Sequence, residues 1–503
     1  MAAVSGPWRK DGGGRQDQGC GDNALSRRAT VAGGTIAFAA AFALAGCAES
    51  PVAATRPVLT PHADSDLRDL IEGAGELVVS GAHLNAGLLK RFYARRDFST
   101  VWTTRQAQAG ELQAAVLRGG DHGLDPELFH ATQLRDAGAL PPLERELLFS
   151  DAFLSYADAL ARGAVPVERR KADEVLAPEP IDVTAVLATA AESPEPASVI
   201  EALAPTTPTY QALREALQNH RSGNTVPSKA STDRLRTIEV NLERQRWLPR
   251  PMPADRAWVN VADERLVLYR AGEAVFSTRV VVGEDLERNQ SPEFRAVIGA
   301  SFYNPPWVIP ADIAKAEILP KLDDDPDYLQ KNKMVLLANG EVEQLPGPEA
   351  GLGYIMFDMP NRFDVYLHDT PDRTVFSRDN RRISHGCIRV QNPRDFAALL
   401  MDQPIDTIDQ GIATGNTTRN DLSTPVPVFV VYQTAFVDAG GALQFRPDFY
   451  KRDDAIWRLL QEHPPEPVLA VQARSDRHRV VHPASARVRH PPSSVSPRHR
   501  PGT

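Results

Sequence analysis

At 503 residues, 42% hydrophobic and 24% charged, the chain is long enough for two or three domains, each with its own core. A net charge of −9 gives no basis for nucleic-acid binding by the whole molecule, and no apolar run after residue 50 is long enough to span a bilayer. Three cysteines, with only Cys387 outside the first 50 residues, exclude a disulfide framework; packing must hold the body together.

Residues 1–25 are polar and glycine-rich. Ser26-Arg27-Arg28 then precedes a mildly apolar run from Val31 to Ala45, a pattern that resembles a twin-arginine export signal. The run ends Leu44-Ala45-Gly46-Cys47, which resembles a lipobox, where the cysteine becomes lipidated and N-terminal after cleavage. Ala43-Leu44-Ala45 also fits plain signal cleavage near Ala45. Either way the chain is expected to be exported to the periplasm, and acylation of Cys47 would anchor it to the membrane. Residues 48–65, with Pro51, Pro57 and Pro61, read as a linker.

A helical region follows. Leu84, Leu88, Leu89 and Phe92 recur at helix spacing, Leu112 to Leu117 form a short amphipathic stretch, and Leu147 to Leu160 a longer one stopped by Gly163 and Pro166. Asp121 to Pro126 is turn chemistry, with Asp125-Pro126 able to open another helix, and Tyr210 begins one more. His83, His122 and His130 are scattered rather than clustered, so they read as ordinary core or surface histidines and not as metal ligands. Residues 220–232 read as a polar linker, followed by a helix from Thr237 stopped at Pro249.

The second half turns to strands: Trp258 to Val261, a hairpin of Arg265 to Tyr269 and Ala274 to Val282 turning at Gly272, and Phe294 to Phe302. Residues 310–350 interrupt the pattern with a short helix and an acidic run at Asp323, Asp324, Asp325 and Asp327. That length suits a lid or cap. The run lacks the glycine and final glutamate of a calcium hand and reads as a solvated face. A strand is expected over Phe363 to Asp369. A helix should open at Asn392-Pro393 with Asn392 as its cap, and Val426 to Tyr432 should form a closing hairpin with the segment around Phe445, turned at Asp438 to Gly441. The tail from about 470 is basic, proline-rich and expected to be disordered.

Cys387 lies in Ser384-His385-Gly386-Cys387-Ile388-Arg389. A thiol is mostly protonated at neutral pH and needs a base to become a nucleophile. His385, two residues away, would share its side in an extended segment; His368, near the end of the preceding strand, is the other candidate. The N–H groups of His385, Gly386 and Cys387 are candidates for an oxyanion pocket, with Gly386 supplying an unusual turn. Arg389 is suited to orient a substrate carboxylate or brace the loop. The bland alternative is an inert cysteine buried in a core strand.

His368 followed by Ser384-His385-Gly386-Cys387-Ile388-Arg389 resembles the signature of the L,D-transpeptidases of bacterial cell walls. Tyr366 to Pro371, Asn304-Pro305-Pro306-Trp307, Asn241 to Arg244, Arg246-Trp247, Gly123 to Pro126 and Tyr93 to Trp102 look like the large periplasmic subclass. The resemblance runs from about 80 to 460 and implies an α+β fold. A helical scaffold would span 66–235 and a β-rich catalytic domain 236–440, with its cap at about 310–350. A C-terminal segment would follow over 441–468 and the tail over 469–503, the export signal occupying 1–47. Large members often carry a small peptidoglycan-binding domain between scaffold and catalytic parts; the 220–232 segment is too short for one.

By this resemblance Cys387 is the nucleophile and His368 its base, with a backbone carbonyl at or near His368 orienting the imidazole. His385 shapes the oxyanion pocket, Ser384 supports it, and Gly386, Arg389 and Tyr366 line the substrate side. Stem peptides of peptidoglycan are implied as donor and acceptor. The thiolate would release D-alanine from a tetrapeptide stem and pass the acyl group to a second stem, giving a 3→3 cross-link. No metal or nucleotide is implied, and carbapenems would acylate the same thiol. Two alternatives are a hydrolase on the same scaffold and a non-catalytic wall-binding lipoprotein.

Overall fold

The computed structural model describes residues 65–73, 75–223 and 228–462. The leader with Cys20 and Cys47, most of the 48–65 linker, part of the 220–232 segment and the basic tail lie outside the described residues. No helix among the described residues is long and apolar enough to cross a membrane. The chain divides into a helical unit, comprising residues 65–169, 179–246 and 453–462 of those described, and a β-rich unit of Arg170–Pro178 with Trp247–Arg452.

The helical unit is built around the helix Pro142–Arg162, buried along most of its length. Its Glu146 is the reason Tyr93 to Trp102 matters. The carboxylate accepts from the Tyr93 hydroxyl (2.8 Å) and from the Val101 and Trp102 N–H groups (2.6 and 2.9 Å), while Trp102 Nε1 donates to Ser150 Oγ at 2.8 Å. A buried carboxylate is tolerable because each oxygen is satisfied. His122 is buried between Glu201 (2.6 Å) and Tyr210 (2.8 Å), and His130 bonds Asp151 at 2.9 Å. These are fold-holding contacts. The helix Lys229–Arg246 runs unbroken, and its last nine residues are buried in this unit. The helical unit therefore takes in this helix through Arg246, and the β-rich unit resumes at Trp247.

The β-rich unit holds strands β1 (Arg256–Asn260), β2 (Arg265–Arg270), β3 (Glu273–Gly283), β4 (Phe294–Tyr303), β5 (Trp307–Ile309), β6 (Met334–Leu336), β7 (Val342–Gln344), β8 (Ile355–Asp358), β9 (Leu367–His368), β10 (Arg382–Ser384), β11 (Ile388–Val390) and β12 (Thr418–Val431). Nine of them form one sheet in the order β10-β3-β11-β9-β8-β4-β12-β1-β2, and β2 also pairs with β3, so the sheet curls back on itself. Its core face carries Val280, Val282, Leu367, Ile388 and Val390, packed with Phe357 and Phe396. Alternate residues fall on the other face, where Val281 packs under Val375 and Phe376 of the turn Arg373–Ser377.

Three expectations are corrected. Only Leu367–His368 of the 363–369 segment pairs as a strand. Asn361 turns the chain before it, its side chain bonding Met359 and Val365 carbonyls and the Phe363 N–H, with Asp364 at φ 52°. Val426 to Tyr432 is not half of a closing hairpin, because β12 runs deep in the sheet between β4 and β1. The hairpin at Asp438 to Gly441 instead joins Ala435–Val437 to Leu443–Phe445. Asn392 makes no side-chain cap bond, although Pro393 and Asp395 occupy the first turn of Pro393–Met401 as expected.

Residues 310–350, expected as a cap, form a small substructure of their own. β5, β7 and β6 make a three-stranded sheet over Ile309, Ala314, Ile318, Met334 and Val342. The acidic run is surface, with Asp325 paired to Lys331 at 2.7 Å.

Gly283 ends β3 where it meets the 289–291 turn. A Cβ there would lie 2.0 Å from the Asn289 carbonyl oxygen and 2.7 Å from the Ser291 nitrogen. Gly283→Ala should cost about 3 kcal/mol by overpacking, because only backbone stands in the way. Urea unfolding of the variant reads this.

Candidate active site

The site is built where two short parallel strands meet. β9 pairs with β11 in the register Leu367↔Ile388 and His368↔Arg389, and the Ile388 N–H donates to the Tyr366 carbonyl at 2.9 Å. Leu367 and Ile388 face the core. Alternation therefore puts His368, Arg389, Cys387 and Tyr366 on the opposite face, with His368 a diagonal neighbour of Cys387. The thiol is half-buried, and its Sγ approaches the Asp364 carbonyl at 3.8 Å.

The turn before Cys387 is closed by Ser384, whose hydroxyl donates to the Cys387 carbonyl at 2.6 Å and accepts the Gly386 N–H at 3.2 Å. Gly386 has φ 113°, a backbone geometry that a side chain would strain. Its carbonyl accepts from Ser291 Oγ at 2.8 Å, and the Ser291 hydroxyl in turn accepts the Gly283 N–H at 3.0 Å. The expected oxyanion set is thereby reduced: the Gly386 N–H is already donated to Ser384, which leaves the His385 and Cys387 N–H groups as candidates.

His385 stands two residues before Cys387. The turn at Gly386 breaks the extended geometry that would have aligned it with Cys387. Its Nε2 instead bonds Glu317 Oε1 at 2.8 Å, so the residue joins the 384–387 turn to the 310–350 segment. Glu317 lies in the π-helical turn Ala314–Ile318.

His368 is held through Nδ1 by the Asp369 carbonyl at 2.6 Å, the orienting carbonyl expected near it. With the proton on Nδ1, Nε2 is left with its lone pair. Burial, with the Arg389 cation behind it, pushes His368 down to about 3 against the pull of the Asp369 and Leu352 carbonyls. Burial pushes the Cys387 thiol up, and a main-chain hydrogen bond at Tyr366 and the charge of Arg389 only partly offset it. Tyr366 is pushed up to about 12, chiefly by burial and then by Asp364 and Cys387. At neutral pH both Cys387 and His368 are therefore neutral. Two neutral groups form no standing thiolate–imidazolium ion pair.

The consequence is measurable. Alkylation of Cys387 by iodoacetamide, followed by peptide mapping, should be slow below pH 7 and climb through and beyond the ordinary cysteine range. A plateau between pH 5 and 7 would mean a standing thiolate.

Asp369, Arg373, Gly353, Ser291 and Glu317 were not singled out from sequence. Asp369 and Arg373 had one signal, their places just after His368 in the chain; Gly353, Ser291 and Glu317 are farther away in sequence. Among the described residues no group of three or more His, Cys, Asp or Glu side chains is placed to hold a metal ion.

Residues 254–430 match the model of the L,D-transpeptidase catalytic domain, and residues 87–217 match a scaffold domain. A Haemophilus influenzae protein provisionally named an L,D-transpeptidase is 26% identical over 412 residues, which cover 75% of this chain and 81% of that protein. Among solved structures, an L,D-transpeptidase from Mycobacterium smegmatis matches 35% of this chain and 58% of its own, at 15% identity and a TM-score of 0.21. L,D-transpeptidase 1 of Mycobacterium tuberculosis matches 35% and 61%, at 12% identity and a TM-score of 0.17. The chain thus spans about three fifths of these solved chains.

Proposed function

We propose that this chain, whose residues 254–430 match the model of the L,D-transpeptidase catalytic domain, forms 3→3 cross-links between peptidoglycan stems. As Cys387 Sγ attacks the L-centre carbonyl of diaminopimelate in a tetrapeptide stem, His368 Nε2 takes the thiol proton. The tetrahedral oxyanion is met by main-chain N–H groups of the 385–387 turn. Its collapse breaks the C–N bond to D-alanine, whose amine leaves with the proton held on His368. The side-chain amine of a second stem then attacks the thioester, gives its proton to His368, and the released thiolate recovers that proton. Arg389, beside the thiol, stabilises negative charge there.

The observation that carries this reading is the His368 imidazole, fixed by the Asp369 carbonyl on the strand that pairs with the Cys387 segment. A neutral base with a fixed tautomer suits repeated proton transfer in both half-reactions. Carbapenems would present a strained carbonyl to the same thiol.

The test is incubation of the soluble body with purified tetrapeptide muropeptides, read by mass spectrometry. A dimer that has lost one D-alanine supports cross-linking. Trimmed monomer without dimer would make the enzyme a hydrolase, with water as acceptor. We propose further that the chain is exported and anchored through an acylated Cys47. Cys47→Ala should then move the protein out of the membrane fraction.

A further inference from the structure

The side chain of Asp369 has no part in the proton transfers described above, yet it is held on several sides. One carboxylate oxygen accepts the Tyr354 N–H at 3.0 Å, and the other is paired with Arg373 Nη1 at 2.6 Å. The Asp369 N–H donates to the Ile355 carbonyl at 2.8 Å. Gly353, at φ 63°, lies flush against this side chain: a Cβ there would stand 2.6 Å from its Cβ, Cγ and Oδ2. The residue is buried, while the Arg373 side chain is about half exposed. The 352–355 turn and the Arg373–Ser377 turn thus grip the Asp369 carboxylate from two directions. The same turns bear on the imidazole, since Leu352 also offers His368 a main-chain hydrogen bond.

We propose that the Asp369 carboxylate and Arg373 form a clamp that positions His368. With the side chain pinned, the Asp369 peptide cannot rotate, so its carbonyl stays 2.6 Å from Nδ1. That contact decides which ring nitrogen carries the proton. Partners beyond the reacting atoms commonly fix the orientation and tautomer of a histidine in this way, and small misplacements are costly in rate. Asp369 and Arg373 are positioning residues, acting through His368 and touching no substrate. The inference rests on His368 as the base but not on the identity of the acceptor.

The clamp separates two chemically similar changes. Asp369→Asn keeps an oxygen for the Tyr354 N–H but turns an amide donor toward Arg373, whose guanidinium offers only donors. Arg373→Met frees one carboxylate oxygen, and Arg373→Lys retains a cation. The whole chain, without its leader, serves for the measurement. The 15N resonances of the His368 ring, identified by their loss in His368→Gln, report the tautomer directly. Steady-state assays with tetrapeptide muropeptides report turnover and KM.

Asp369→Asn and Arg373→Met should convert a single Nδ1–H tautomer into a mixture. Turnover should fall about 10- to 100-fold with KM within about twofold of the parent. Arg373→Lys should recover most of both. A tautomer unchanged in both Asp369→Asn and Arg373→Met would overturn the clamp, and so would a loss of turnover that follows only a lowered unfolding midpoint. A parent that forms no dimer yet loses its tautomer in these variants would retain the clamp while removing cross-linking as the function.

Discussion

Cys387→Ala should form no acyl-enzyme and no dimer, and His368→Gln should lower turnover by about 100- to 10,000-fold while leaving folding intact. The two differ for a physical reason. Alanine removes the atom that bonds to the substrate, whereas glutamine leaves a thiol that still ionises as pH rises. Because burial holds that thiol above its ordinary range, raising pH should restore part of the His368→Gln activity and none of the Cys387→Ala activity. Turnover of both variants between pH 7 and 10, with KM followed separately, distinguishes loss of the base from loss of binding. Equal, pH-independent losses would place His368 in a structural role only.

The second large effect concerns folding. Arg452→Met should destabilise the β-rich unit by about 3–5 kcal/mol, the cost of leaving buried carboxylates without their cation. Arg452 is fully buried, paired with Asp173 and with Glu293 (3.2 Å), and 3.8 Å from Glu174. Its Nη2 also donates to the Ser291 carbonyl at 3.1 Å, and its guanidinium lies 5.1 Å from the centre of the Tyr450 ring. The same cluster reaches the turn that carries Gly386 and Cys387. Tyr450 donates to the Gly283 carbonyl at 2.6 Å, and Ser291 holds the Gly386 carbonyl. A variant that survives expression should therefore lose activity as well as stability, and urea unfolding followed by tryptophan fluorescence would show the loss. Stability within 1 kcal/mol of the parent would mean that the carboxylates find other partners.

Sequence carried much of this site, and the limits have physical causes. The lone thiol, the glycine beside it and the histidine before it were legible because each is an unusual residue in a compact motif. Several of the strands around them were legible as apolar runs between turn signals, while their order in the curled sheet was not. The pairing of β9 with β11 was not legible, because two- and three-residue strands carry no period. The partner of His385 was not legible either: Glu317 lies 68 residues away in the 310–350 segment, and only the fold brings it near. Adjacency pointed His385 toward the thiol, and the positive φ of Gly386 turned it away. Arg452 looked like one arginine among many near the end of the body, since its acidic partners are 159 to 279 residues distant.

The claim that Cys387 is acylated by the donor stem can be read directly by mass. The protein is mixed with a tetrapeptide muropeptide whose side-chain amine is blocked, so that no acceptor competes, and the intact mass is recorded. A covalent increment equal to the donor minus D-alanine, mapped to the peptide containing Cys387 and missing in Cys387→Ala, is the predicted result. An increment that persists in Cys387→Ala, or that maps to another residue, would contradict the account.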